Sequence, residues 1–233
     1  KLLNPKLALK IAPNYTKDYR NNNNEIDINN IYSLERNAEI DSVEGGISLA
    51  YGSEYSIYNK RNYLNIFSFK TANNLRLKEN NDLPKNSQID EKISSIFNEI
   101  SFHPNEMIKV NYKSSIKNNF KDINYENFTT EFKVNNLITS FDYYNQNKSY
   151  SKNSYLTNTT QLIFDDFNSL SFSTRKNKTK DLTEYYKLSY QYKNDCLDAS
   201  IEYNKEYYSD RDIKPDEGIF LKLTIIPFNK ENY

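Results

Sequence analysis

The sequence predicts an all-β chain: an antiparallel, up-and-down transmembrane β-barrel of the outer-membrane type, partial, with about twelve strands. Three observations predict it. Apolar and polar residues alternate over one segment after another. Many of these segments have roughly ten to twelve residues, the reach of a tilted strand crossing a bilayer. The connections between them alternate between tight and long, as they do when every second one lies on the same side of a membrane.

Composition agrees with this reading and removes others. Tyr (21) and Phe (13) are abundant, Trp is absent, and Gly (4) and Pro (6) are scarce, which suits strands joined by polar, Asn-rich loops. At 37% hydrophobic residues the chain holds less apolar material than a soluble domain of 233 residues needs to offset its entropy. A disordered chain would lack the regularly spaced aromatics. A barrel reconciles the two, because only its lipid face must be apolar. The 31 basic and 31 acidic residues are interspersed, which excludes the electrostatic footprint of a nucleic-acid partner. No run of about eighteen apolar residues exists, so no spanning helix is expected.

Taken in order, residues 1–10 alternate like a strand and lack the apolar stretch of a signal peptide, so the numbered chain, which starts at Lys1, reads as a fragment. From 107 to 117, Ile108, Val110, Tyr112 and Ile116 oppose Lys109, Asn111, Lys113 and Ser115. Phe128, Phe132 and Val134, then Leu137, Phe141 and Tyr143, continue the pattern. Leu182, Tyr186, Leu188, Tyr190 and Tyr192 follow, with Glu184 and Tyr185 breaking the alternation. Leu197, Ala199, Ile201 and Tyr203 precede a last strand bearing Ile219, Leu221, Leu223 and Ile225. Tight turns are expected near 59–61, 104–105, 135–136, 165–166 and 194–195. Longer loops are expected near 14–41, 77–90, 118–121, 146–153, 177–180 and 209–216, which sets both ends of the chain on the periplasmic side. Tyr190, Tyr192, Tyr207 and Tyr208 stand where an aromatic girdle or ordinary strand filling would be. A soluble propeller or sandwich would alternate too; the combination of many long strands, the short and long rhythm and polar residues on the opposite face of nearly every strand favours the membrane barrel.

Residues that could carry chemistry are few, and no enzymatic activity, cofactor or metal site is expected. The single His, His103, adjoins Pro104 in an expected turn, and with one Cys, Cys196, a zinc site or Cys–His pair would require both to converge. Asp165 with Asp166, and Glu25 with Asp27, read as solvated turn residues. Gly45-Gly46 lacks the Lys and following helix of a phosphate loop.

The run Asn30-Ile31-Tyr32-Ser33-Leu34-Glu35-Arg36, followed by Asp41-Ser42-Val43-Glu44-Gly45-Gly46 and Tyr51-Gly52, resembles the signature of the LptD, or organic solvent tolerance, family of outer-membrane lipopolysaccharide-assembly barrels. Leu83-Pro84 with Ser87 and Asp90, then Tyr192-Lys193-Asn194-Asp195-Cys196, then Arg211-Asp212-Ile213-Lys214-Pro215, look like later landmarks in the same order. Ser42 stands where an Arg is usual, Glu35 replaces a common Asn, and residues 69–73 keep little of the family's strand at that place.

The resemblance implies that residues 1–233 are the C-terminal part of a single barrel domain in the cell outer membrane, with an N-terminal jelly-roll and early strands absent. It implies lipopolysaccharide as cargo, delivered by a periplasmic bridge through the jelly-roll, and a plug lipoprotein of the LptE kind in the lumen. It also implies acyl chains leaving into the surrounding outer-membrane lipids through a seam whose last strand is 217–226. Lys109, Lys113, Lys187 and Asn204 would then meet sugars, phosphates, the plug or simply water. Cys196 would bond to the absent N-terminal region or remain a free thiol; Leu197 follows it, so at most one such bridge can form. A porin-like or receptor barrel for small solutes, and a surface adhesin using the long loops, are the alternatives.

Overall fold

The computed structural model describes residues 1–12, 26–34, 36, 44–84, 88–148, 151–207 and 216–226. Twelve strands form one sheet in chain order: β1 (Leu2–Ala12), β2 (Gly46–Tyr58), β3 (Asn65–Arg76), β4 (Ile96–Asn105), β5 (Ile108–Ile116), β6 (Ile123–Val134), β7 (Leu137–Lys148), β8 (Ser151–Ile163), β9 (Asn168–Asn177), β10 (Leu182–Lys193), β11 (Leu197–Glu206) and β12 (Glu217–Ile225). The expected strand number, antiparallel pairing and up-and-down order are all observed, and no helix occurs among the described residues. Among the described residues the strand order begins at β1 and ends at β12.

Turn positions follow local side-chain chemistry and correct three expectations. The turn expected at 104–105 falls at Glu106 and Met107, because the Asn105 Oδ1 accepts the Met107 and Ile108 amides at 2.9 and 3.0 Å. Pro104 and His103 are therefore strand residues of β4. The long loop expected at 146–153 is a hairpin: β7 runs to Lys148 and β8 begins at Ser151. The tight turn near 59–61 extends to residue 64, where Asn59 N donates to Leu64 O at 2.8 Å and Tyr63, at φ 55°, donates its amide to Asn59 O at 2.9 Å. Asn135-Asn136 is a turn as expected, Asn135 taking the left-handed conformation that Asn tolerates (φ 51°). The short and long rhythm thus holds over the chain's first connections and fails at the β7–β8 hairpin and at β9–β10, whose connection is no longer than the β8–β9 turn before it.

Two compact units can be described separately. The first holds residues 1–104, 110–127 and 146–148. Its registers carry the alternation from strand to strand: Leu3, Leu7 and Leu9 oppose Tyr55, Tyr51 and Leu49, which oppose Phe69, Asn73 and Leu75. The other face carries Lys6, Ala8 and Lys10 against Gly52, Ala50 and Ser48, then Ala72, Asn74 and Arg76. Burial is the reverse of a water-soluble sheet. Leu7, Leu9 and Ile11 are exposed, whereas Ser48, Ser56, Ser68 and Asn74 are buried.

The second unit holds residues 105–109, 128–145 and 149–233. A row of Leu162, Leu170, Tyr190, Ile201 and Leu221 crosses β8 to β12 on one face, and Ser171, Ser189 and Glu202 cross the other. Phe220 is the apolar exception on the polar face, opposite Glu202. Phe172 stacks on Tyr186 at 6.1 Å between centroids, and Tyr207 meets Tyr186 edge-on at 5.7 Å, so aromatic pairs stiffen the apolar face.

Among the described residues, a buried apolar cluster lies in the first unit: Ile26, Ile31, Leu83 and Ile89 from loops, against Ala50, Ala72 and Phe97 of the strands. Loop residues supply the bulk, and the small residues of β2 and β3 make room for them. The long connections expected near 14–41 and 77–90 are present, and their described residues fold back onto the sheet.

Candidate functional site: the polar face and the loops folded onto it

Asp27 organises the first of these loops. Its Oδ1 accepts the Asn29 and Asn30 amides at 2.8 and 3.0 Å, closing an Asx turn, and Ile31 N donates to Asp27 O at 3.1 Å. The turn aims Ile31 into the apolar cluster and sets Tyr32 over Gly52. A Cβ on Gly52 would lie 2.1 Å from the Thr71 carbonyl oxygen and 2.4 Å from the Tyr32 hydroxyl, so only glycine admits this approach.

Glu44 ties the loop to the sheet. Arg36 donates to both Glu44 carboxylate oxygens, the Lys10 ammonium lies 3.0 Å from one of them, and Arg76 Nη1 lies 3.3 Å from the other. Arg36 also donates to Asn74 Oδ1 at 2.7 Å and Ser48 Oγ at 2.8 Å, while Arg76 Nη2 donates to the Gly45 carbonyl at 2.6 Å. Gly46 has φ +100°, which lets the chain turn into β2 beneath the Arg76 guanidinium. Burial alone would push the Glu44 carboxyl up; the hydrogen bond and charge of Arg36, helped by Lys10, outweigh it and hold the group below the usual carboxylate range.

The second loop is held by backbone pairing and by Gln88. Arg76 N donates to Lys92 O, Ser94 N to Asn74 O, and Leu75 bridges Ile93, extending the β3 ladder beyond β4. Gln88, at φ 62°, accepts the Ser95 amide at 2.8 Å. Within this loop burial pushes the Asp90 carboxyl up to about 6, the Glu91 charge adding to the rise while backbone amides and Arg76 oppose it. Among the described residues, Arg76 Nε, Asn74 Nδ2 and Asp90 Oδ1 are buried without a hydrogen-bond partner.

The four residues expected to reach a lumen all lie on the polar face, and each has a partner there. Lys109 pairs with Glu131 at 2.7 Å, Lys113 with Glu99 at 3.4 Å and Lys187 with Glu202 at 2.6 Å. Asn204 lies opposite Lys187 and donates to Glu206 at 2.9 Å. Lys6 with Glu54 and Lys70 with Glu99 complete an ion-paired surface. Its charges are balanced locally, so it presents a hydrated lattice of polar groups more than a cationic track.

Ile219, Leu221, Leu223 and Ile225 share the apolar face of β12 and are 62–81% exposed. Cys196 is half-buried in the turn before β11, its amide donating to Asn194 Oδ1 at 2.9 Å. His103 Nε2 lies 3.2 Å from Asn111 Oδ1 on the polar face. Asp165 behaves as turn chemistry: its Oδ1 accepts the Phe167 and Asn168 amides, each at 2.8 Å. Arg211, Asp212, Pro215, Ser42, Glu35, Ser87, Glu25 and Tyr208 lie outside the described residues. No cluster of His, Cys, Asp and Glu with metal-binding geometry occurs among the described residues.

Sequence reasoning singled out Glu44, Gly45 and Gly46 only as a resemblance; their physical role is the Arg36–Arg76 anchorage. It missed Arg36, Asn74 and Arg76 as partners, because nothing local in a strand marks a side chain that will receive a loop. The one available signal was the sequence of small residues Ala50, Gly52 and Ala72 on a face otherwise long and polar.

No protein-family model and no curated protein matches the chain.

Proposed function

We propose that this sheet is part of a β-barrel in the outer membrane and that the barrel delivers lipopolysaccharide to the outer leaflet. The observation that carries the membrane reading is the inverted burial: serine, asparagine and ion pairs lie on the covered face, and leucine, isoleucine, phenylalanine and tyrosine on the open one. Exposed apolar surface that runs across consecutive strands is costly in water and favourable in lipid. Strands of nine to thirteen residues have the reach to cross a bilayer when tilted.

The cargo rests on the resemblance of residues 30–52, 83–90 and 192–215 to the lipopolysaccharide-assembly family, and on a polar face suited to wet, hydroxyl-rich passage. In this reading saccharide travels along the polar face and acyl chains leave beside β12. A plug lipoprotein fills the lumen, a periplasmic bridge supplies cargo through an upstream domain, and Cys196 faces the periplasm. No bond is made or broken in the process.

Depletion of the protein in its own cells tests the proposal. Newly made lipopolysaccharide should fail to reach the cell surface and should accumulate at the inner membrane. Normal delivery with altered uptake of small solutes would replace this reading with a porin-like one.

A further inference from the structure

We propose that a cleft in the second unit, at the end of the polar face where β8 and β10 begin and β9 and β11 end, binds a neutral sugar ring. The cleft has a volume of about 320 Å³ and is lined by Asn153, Tyr155, Asn177 and Lys180 on one side and by Glu184, Tyr185 and Glu206 on the other. That volume is at the small end of ligand pockets, the scale of a sugar unit more than of a long chain.

Its origin is the break in alternation at Glu184 and Tyr185. A bulge between Thr183 and Tyr185 shifts the register of β10 against β9. Regular alternation would send these neighbours to opposite faces, and the extra residue brings both to the polar one. Tyr185 then lies opposite Arg175 on one side and Glu206 on the other, while Tyr155 lies opposite Asn177. The rest is anchored from below. Asn177, only 3% exposed, donates to Glu184 at 2.9 Å and accepts the Lys180 amide at 3.0 Å. The Arg175 guanidinium lies 4.9 Å from the centre of the Tyr155 ring and 3.9 Å from the Glu184 carboxylate.

The chemistry selects the ligand. Lys180, Glu184 and Glu206 line the cleft and Arg175 pairs with Glu184 beside it, so the charges offset one another and the cleft has little net attraction for an anion or a metal ion. It does offer charged hydrogen-bond acceptors and donors for hydroxyl groups, and the aromatic rings of Tyr155 and Tyr185 for the C–H side of a ring. This goes beyond the transport reading. The same ring can belong to a free oligosaccharide or to a saccharide carried on a lipid, and the test separates the sources.

The intact chain in detergent micelles is to be mixed with maltotriose, and separately with a deacylated, dephosphorylated lipopolysaccharide oligosaccharide; saturation-transfer NMR reads the sugar protons. Transfer to maltotriose supports a site for free sugar, and transfer to the second probe alone supports a lipid-borne one. In either case affinity should fall roughly tenfold in Glu184→Gln and Tyr155→Ala, and stay unchanged in Glu131→Gln, which removes an ion pair elsewhere on the polar face. Glu184→Gln is close to isosteric and decides the matter if Tyr155→Ala fails to fold. Absence of transfer to both probes, or transfer that survives Glu184→Gln, would overturn the proposal. Surface delivery in cells is a separate readout, so failure here leaves the transport reading standing, and the reverse.

Discussion

At the scale of single residues, the first unit is held by a carboxylate that cannot leave its cations. Glu44 and Arg76 side chains are each 1% exposed. Removing one partner of such a buried group leaves uncompensated charge, so Glu44→Gln should destabilise the protein by about 3–5 kcal/mol. Urea titration should show this, together with faster proteolysis around residues 26–36. Glu131→Gln breaks only the exposed pair with Lys109, and should cost about 0–1 kcal/mol. Gly52→Ala should fail even when combined with Tyr32→Phe, because the Thr71 carbonyl at 2.1 Å is backbone and cannot step aside. Asp90 adds a pH dependence of known sign. Its carboxyl rises from 3.8 to about 6 on folding. The folded state therefore holds the proton more tightly, and the loop's stability should fall as pH rises between those values. Protease protection of residues 77–95 measured from pH 4 to pH 7 should show this decline, and Asp90→Asn should abolish it.

At the scale of the element, each strand carries two chemically opposed faces, and a one-residue step exchanges them. The absence of Trp makes this directly measurable. Trp placed singly at Leu188 or Tyr190 should be quenched by brominated lipid, and Trp at Ser189 or Gln191 should not; equal quenching would mean that the strand does not face lipid in this register. Leu221→Arg on the apolar face of β12 should weaken refolding into vesicles by about 2–4 kcal/mol if the residue sits near mid-bilayer. Lys222→Arg, next along the chain but on the other face, should be neutral. The bulge in β10 sets the two-residue period aside and gathers Glu184 and Tyr185 beside Arg175.

At the scale of the whole molecule, the strand order leaves β1 and β12 as edges. Unpaired backbone is expensive in lipid and adhesive in water. The chain purified alone in detergent should therefore self-associate, seen by light scattering as species larger than a monomer. A monodisperse monomer would mean that the two edges pair with each other, which cysteines placed at Leu7 and Leu221 would report by crosslinking.

The sequence by itself determined the strand number, the antiparallel order and, outside the bulge in β10, the faces of the strands whose alternation it shows. Alternation is a property of neighbouring residues and survives without tertiary context. Leu7, Leu188 and Leu221 were legible in this way, as were the polar positions of Lys109, Lys113, Lys187 and Asn204. Only the tertiary structure decided what those positions meet. Arg36 and Asn74 are 38 residues apart when they bond, and Lys70 and Glu99 are 29 apart. The inward folding of the loops, the anchorage at Glu44 and the re-aiming of Glu184 all depend on which strand lies alongside. That is a long-range fact, and a period of two does not encode it.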